Sequence, residues 1–158
     1  MKEDVLALLP KHEREWVRLF QTFNALERAR EIELGKVGLT TAEAAILFAI
    51  KTAKEPPTPS KLARWLYREP HTISNLVNRM EKEELVRKSH DLDKKNQIRV
   101  SLTEKGEEAL RRQSKVRKSV NATSCLSDEE VGVLMACSDK LHARAIELIR
   151  EMQPGPWD

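Results

Sequence analysis

The sequence predicts a mainly α-helical fold with one small β-hairpin, a helix-turn-helix at its centre and longer helices on either side. Three observations carry that prediction. Apolar residues recur at steps of three and four over most of the chain, the period of an amphipathic helix. Two of the helices so marked are short and joined by a tight turn. One stretch, residues 97–102, switches to strict alternation, the period of a strand.

The first helix is read over Lys11 to Leu34, where Trp16, Leu19, Phe20, Phe23, Leu26 and Ala29 form the apolar stripe and Gly35 and Gly38 end it. Thr40 and Glu43 then stand at the spacing of a capping box, in which each side chain satisfies the other's free backbone N–H. A short buried helix, Ala44 to Ile50, follows. Pro56, Pro57 and Pro59 interrupt the chain, yet Thr58 is an N-cap and Pro59 suits a first helical position. The third helix, Pro59 to Tyr67, is expected to bury Leu62, Ala63 and Leu66. A turn at Arg68, Glu69 and Pro70 leads to a fourth helix from His71 to about Glu83.

After Leu85 the period changes. Val86 to His90 reads as a strand, Asp91 to Asn96 as turn residues, and Gln97 to Leu102 as a second strand with Ile98, Val100 and Leu102 inward and Gln97, Arg99 and Ser101 outward. Thr103 caps a fifth helix expected to reach about Asn121, and Ser127 with Glu130 repeats the capping-box spacing before a sixth. In that last helix Leu134, Leu141 and Leu148 recur every seven residues beside Val131, Ala145 and Met152, a helix-pairing surface. Residues 154–158 read as a loose tail. The order of elements is a winged helix-turn-helix with flanking dimerisation helices.

The fourth helix points to nucleic acid. Turning 100° per residue gathers Ile73, Leu76, Val77 and Met80 on a core-facing arc. The opposite arc carries His71, Asn75, Asn78 and Lys82, flanked by Thr72, Ser74 and Arg79. Such side chains suit a major groove, where Asn pairs bidentately with adenine and Arg or Lys with guanine. Thr58, Ser60 and Lys61 at the start of the third helix are read as further DNA contacts. Arg87, Lys88 and Arg99 on the hairpin, with Lys94 and Lys95 at its tip, would meet phosphates or probe the minor groove.

Leu39-Thr40-Thr41-Ala42-Glu43, the stretch Thr72 to Lys82 with Leu85-Val86, and Val100-Ser101-Leu102-Thr103-Glu104-Lys105-Gly106 resemble, in order and spacing, the multiple-antibiotic-resistance-regulator (MarR) family of transcriptional regulators. The resemblance covers the chain from the first helix to the sixth. It implies one domain over 1–158, with a DNA-binding unit at 39–104 and a helical dimerisation region at 1–38 and 105–153. Helix four would be the recognition helix, Asp93 to Lys95 the wing tip, and helices one, five and six the homodimer interface through Trp16, Leu19, Phe23, Leu134, Leu141, Ala145, Leu148 and Met152. The partners implied are double-stranded DNA at a pseudo-palindromic operator, a second copy of the chain, and a small aromatic or phenolic effector bound between the two regions. Two positions depart from the family. Glu84 stands where it often has Gly, so helix four is expected to stop differently, because Glu resists a positive φ. Lys94 and Lys95 stand where the wing tip usually carries Arg, which favours phosphate contact over shape-specific reading.

Other chemistry finds little support. The net charge of +3 is too modest to establish a polyanionic partner, so the distribution of cations has to decide. No phosphate loop, H-E-x-x-H or nucleophile elbow is present, and the expectation is a non-enzyme without cofactor. His90 with Asp91 and Asp93 is read as a solvated turn in preference to a metal site. Cys125 and Cys137 lack a zinc or disulfide spacing and fit a reducing cytoplasm; oxidation sensing through either stays an alternative. So does a winged helix that binds protein, although the fourth helix shows no apolar anchors for one. No stretch is long and apolar enough for a membrane span.

Overall fold

The computed structural model describes residues 8–90 and 97–152. In chain order these form α1 (Lys11–Gly35), α2 (Thr41–Thr52), α3 (Pro59–Leu66), α4 (Pro70–Lys82), β1 (Val86–His90), β2 (Ile98–Leu102), α5 (Glu104–Lys115), a 3₁₀ segment (Ser119–Cys125) and α6 (Asp128–Met152). The mainly α fold with one hairpin is as the sequence predicted. No helix among the described residues is long and apolar enough to cross a membrane.

The local signals act where they were read. Glu43 N–H donates to Thr40 Oγ1 at 3.2 Å and Thr40 N–H to Glu43 Oε2 at 2.9 Å, closing the capping box of α2. Thr58 caps α3 by accepting from Lys61 N–H at 3.2 Å, and Thr103 caps α5 by accepting from Gly106 N–H at 3.0 Å. At Gly106 an added Cβ would lie 2.0 Å from the Leu85 carbonyl oxygen, so only glycine lets α5 pass this close to the hairpin. β1 and β2 pair antiparallel from Val86 opposite Leu102 to His90 opposite Ile98. Val100 N–H also donates to the Pro57 carbonyl at 2.9 Å, which ties the hairpin to the loop before α3.

The fully buried side chains Leu34, Ile46, Leu47, Leu62, Ile73, Val77, Met80, Val86 and Val100 put the core inside the winged unit. Burying such residues stabilises by about 1.5–3 kcal/mol each. α6, by contrast, buries none of its residues.

Five expectations need correction. α3 stops at Leu66, because Tyr67 swings to φ 50° and Arg68 N–H closes back on the Ala63 carbonyl at 3.0 Å. α4 starts one residue early, at Pro70, whose missing N–H costs nothing in the first helical turn. Its end takes the left-handed form despite Glu84, at φ 59°. Leu85 N–H reaches the Met80 carbonyl and Glu84 N–H the Glu81 carbonyl, both at 2.9 Å, a Schellman closure that offsets the strain of a non-glycine residue. Ile98, paired with His90 at the end of the hairpin farthest from α5, is 39% exposed, so the inward side of β2 is only Val100 and Leu102.

α5 gives the largest correction, ending at Lys115 and not near Asn121. The cause lies on α1. Arg30 Nη1 donates to the Val116 carbonyl, and Glu33 accepts from the Ser119 N–H at 2.9 Å and from its hydroxyl. These bonds satisfy backbone groups that a continued helix would pair internally, so the chain leaves the α conformation there. The Ser119 hydroxyl bond, opposed by burial and reinforced by the Ser119 amide and Arg30, holds the Glu33 pKa below the ordinary carboxylate value.

Candidate nucleic-acid interface

α4 presents the two faces the sequence predicted. Ile73, Val77 and Met80 are buried and Leu76 is half-buried, while His71, Thr72, Asn75, Asn78 and Lys82 are exposed. The exposed set is free of acidic side chains over its first three turns. Ser74 is half-buried and borders a cavity of about 430 Å³ that also touches Thr58, Ser60, Lys61, Arg64, Gln97 and Ile98. The start of α3, the start of α4 and the hairpin therefore converge on one surface.

Arg64 and Gln97 belong to that surface and were missed in the sequence. Arg64 stands four residues after Ser60 and shares its side of α3, so the helical projection applied to α4 would have found it. Arg64 is exposed and in no ion pair among the described residues. Gln97 precedes β2, where the alternation of residues marks it only as an outward position.

Several predicted contacts are already engaged within the protein. Arg79 Nη2 donates to the buried Glu43 Oε1 at 2.8 Å, linking α4 to the cap of α2. Burial raises the Glu43 pKa, but the Thr40 amide and hydroxyl and the Arg79 guanidinium outweigh it and hold the group below the ordinary carboxylate value. Lys88 Nζ donates to Asn78 Oδ1 at 2.9 Å and lies 2.7 Å from Glu81 Oε2. Hydrogen bonding from Lys88 lowers the Glu81 pKa despite some opposing burial. Arg87 Nε donates to Ser101 Oγ at 3.0 Å, and Arg99 Nη1 donates to the Pro56 carbonyl at 3.0 Å with Glu55 3.7 Å away. The Lys94 and Lys95 tip, with Asp91 and Asp93 of the candidate metal turn, lies outside the described residues.

On the flanking helices Trp16, Phe23 and Leu19 of α1 are 66%, 61% and 48% exposed, and Leu134, Leu141, Leu148 and Met152 of α6 are 42%, 55%, 38% and 71% exposed, with Ala145 exposed among them. Both cysteines are free thiols on the surface, and Cys125 Sγ donates to the Ala122 carbonyl at 3.2 Å. A second cavity, of about 400 Å³, lies where α1, α2 and α5 meet. Arg30, Phe48, Lys51, Leu110 and Gln113 border it. Gln113 Oε1 is buried with no hydrogen-bond partner among the described residues.

Residues 39–106 match the family model described as a winged helix DNA-binding domain. Across nearly the whole chain, the ligand-free form of the organohalide-sensing RdhR transcriptional regulator is 30% identical, with 95% of this chain and 89% of that one covered and a TM-score of 0.80. The chain belongs to the MarR family of winged-helix transcriptional regulators. This MarR-family chain also resembles RdhR in its 2,4-dichlorophenol-bound form, at 31% identity, TM-score 0.76, and coverage of 91% and 85%. It shares its fold with a mutant of E. coli MarR complexed with operator DNA, at 21% identity, TM-score 0.71 and coverage of 78% and 91%. The same holds for the S. aureus MepR–DNA complex, at 20% identity, TM-score 0.74 and coverage of 82% and 97%. No curated protein matches the chain in sequence. As a MarR-family member the chain is a DNA-binding transcriptional regulator, a class that acts without catalysing a reaction.

Proposed function

We propose that this regulator is a cytoplasmic repressor that binds a pseudo-palindromic operator as a homodimer and is released by a small aromatic or phenolic effector. Residues 39–104 would read DNA, and 1–38 with 105–153 would pair the subunits. The observation that carries the reading is the exposed polar face of α4, from His71 to Lys82, set beside the Thr58, Ser60 and Lys61 surface of α3. A helix so faced, followed by a hairpin, can present Asn75 and Asn78 to base edges and its cations to phosphates. The apolar faces of α1 and α6 support the homodimer, since an unpartnered stripe of this kind costs hydration until it is covered.

Effector release is supported by the cavity at Gln113. Its unpaired carbonyl oxygen would accept a hydroxyl from a ring packed on Phe48 and Leu110. The test is to select bound sequences from a random duplex pool and titrate the winner against a scrambled duplex. Expected is a single two-fold-related consensus bound by a dimer; a pool that stays unenriched would favour a winged helix that docks on protein.

A further inference from the structure

Tyr67 opens the turn between α3 and α4, which runs only from Tyr67 to Glu69. It takes the left-handed conformation, φ 50° and ψ 46°, where glycine is at ease and a residue with a Cβ is strained. The bonds that close the turn are backbone ones, Tyr67 N–H to the Arg64 carbonyl at 3.1 Å and Arg68 N–H to the Ala63 carbonyl at 3.0 Å. Glycine would make them equally well. The reason for a tyrosine therefore lies in its side chain, since strain of this kind persists where the surroundings hold it in place.

That side chain crosses to α6. Tyr67 Oη lies 2.9 Å from His142 Nε2, and the two rings meet edge to face, with centroids 5.7 Å apart and planes at 76°. The hydrogen bond fixes a separation, and the ring contact adds an angle. On α6, His142 begins a row that continues through Ile146 and Ile149, both half-buried within their own chain. Leu141 and Leu148 stand one position away, about 100° around the helix, on the exposed stripe. One row of α6 thus faces its own chain and the next is left for a partner.

We propose that Tyr67 and His142 are positioning residues that hold the winged unit at a fixed angle to α6, and that through the paired α6 helices they set the half-site spacing the dimer accepts. The spacing rests on the homodimer and DNA reading above; the angle between α4 and α6 does not. Two copies of α4 reach successive major grooves on one side of a duplex only when they stand one helical turn apart, about 34–36 Å. α4 begins at Pro70, so a Tyr67 ring that slips on α6 moves the start of α4 with almost no chain between them to absorb the shift. A half-site engaged by one subunit then leaves the other out of register, and the gain from binding both is lost.

The experiment uses the full chain with Cys125→Ser and Cys137→Ser, carrying nitroxide labels at Glu83→Cys after α4 and Lys140→Cys on α6, both exposed positions. Mixing with excess unlabelled chain makes the two labels report on one subunit, and pulsed electron paramagnetic resonance reads their distance. Expected is one narrow distance in this parent, broadened by Tyr67→Phe and by His142→Ala and narrowed again in His142→Gln, whose amide can still bond the hydroxyl. Arg144→Ala, which removes the α6 ion pairs with Glu147 and Glu151, should leave the distance narrow. The urea midpoint should hardly move in His142→Ala, because the bond it removes is exposed. On duplexes with one base pair added or removed between the selected half-sites, the parent should lose affinity severalfold and His142→Ala distinctly less, while both bind a single half-site alike. A broad distance in the parent, an unchanged one in His142→Ala, or equal broadening in Arg144→Ala overturns the positioning role. Broadening with undiminished discrimination of spacing overturns its consequence for DNA. If the parent binds no duplex, the DNA reading and the spacing fall together, and the distances still decide the tie between Tyr67 and His142.

Discussion

Asn75 and Asn78 looked equivalent on a helical projection, but their surroundings separate them. Asn78 already accepts from Lys88, whereas Asn75 makes no side-chain hydrogen bond among the described residues that would compete with a base. Asn75→Ala is therefore expected to weaken the selected operator by about 1–3 kcal/mol and leave a scrambled duplex nearly unchanged, read by titrating both. Undiminished discrimination would remove Asn75 from the specificity residues. Glu43 yields a prediction about pH. Its folded-state pKa is depressed, so its contribution is fully present above the ordinary carboxylate value and is lost as pH falls through the folded value. Glu43→Gln should lower stability by about 1–3 kcal/mol at neutral pH and flatten the acid side of the stability profile, measured by urea denaturation between neutral and acidic pH. A parallel decline in both proteins would mean that the Arg79 pair does not couple folding to pH.

Among the elements, α6 has the plainest mismatch between its sequence and its surroundings. A 25-residue helix with a heptad leucine stripe and no buried residue has little in its own chain to hold it straight. One tie to the winged unit is Tyr67 Oη with His142 Nε2 at 2.9 Å. A second copy covering Leu134, Leu141 and Leu148 would supply the missing burial. Leu141→Asp is expected to shift the protein to monomer in sedimentation, and to lose operator binding with it. A variant that still sediments as a dimer would move the interface away from α6. The corrected end of α5 belongs to this scale too, because Arg30 and Glu33 of α1 break the helix and so set where the chain turns toward α6.

The whole molecule sets how charge reaches DNA. Lys61 and Arg64 are exposed and in no ion pair among the described residues, whereas Lys88 is held by Glu81 and Arg79 by Glu43. Duplex affinity should fall with salt at a log–log slope of about −0.9 per phosphate contact. Lys61→Ala should reduce that slope by about one, and Lys88→Ala by distinctly less. Equal reductions would show that the Lys88 pair opens on DNA. By itself the sequence determined the helix caps, the hairpin, the two faces of α4, the apolar stripes of α1 and α6, and the family. All but the hairpin and the family are written in residues a few positions apart, where spacing alone fixes which groups share a face or a cap. The tertiary structure decided the rest: the end of α5, the commitment of Arg79 and Lys88, and the place of Lys61 beside the cavity shared by α3, α4 and the hairpin. These depend on partners such as Glu43 for Arg79 and Glu33 for Ser119, 36 and 86 residues apart, which no local period encodes and only the packed core brings within bonding distance.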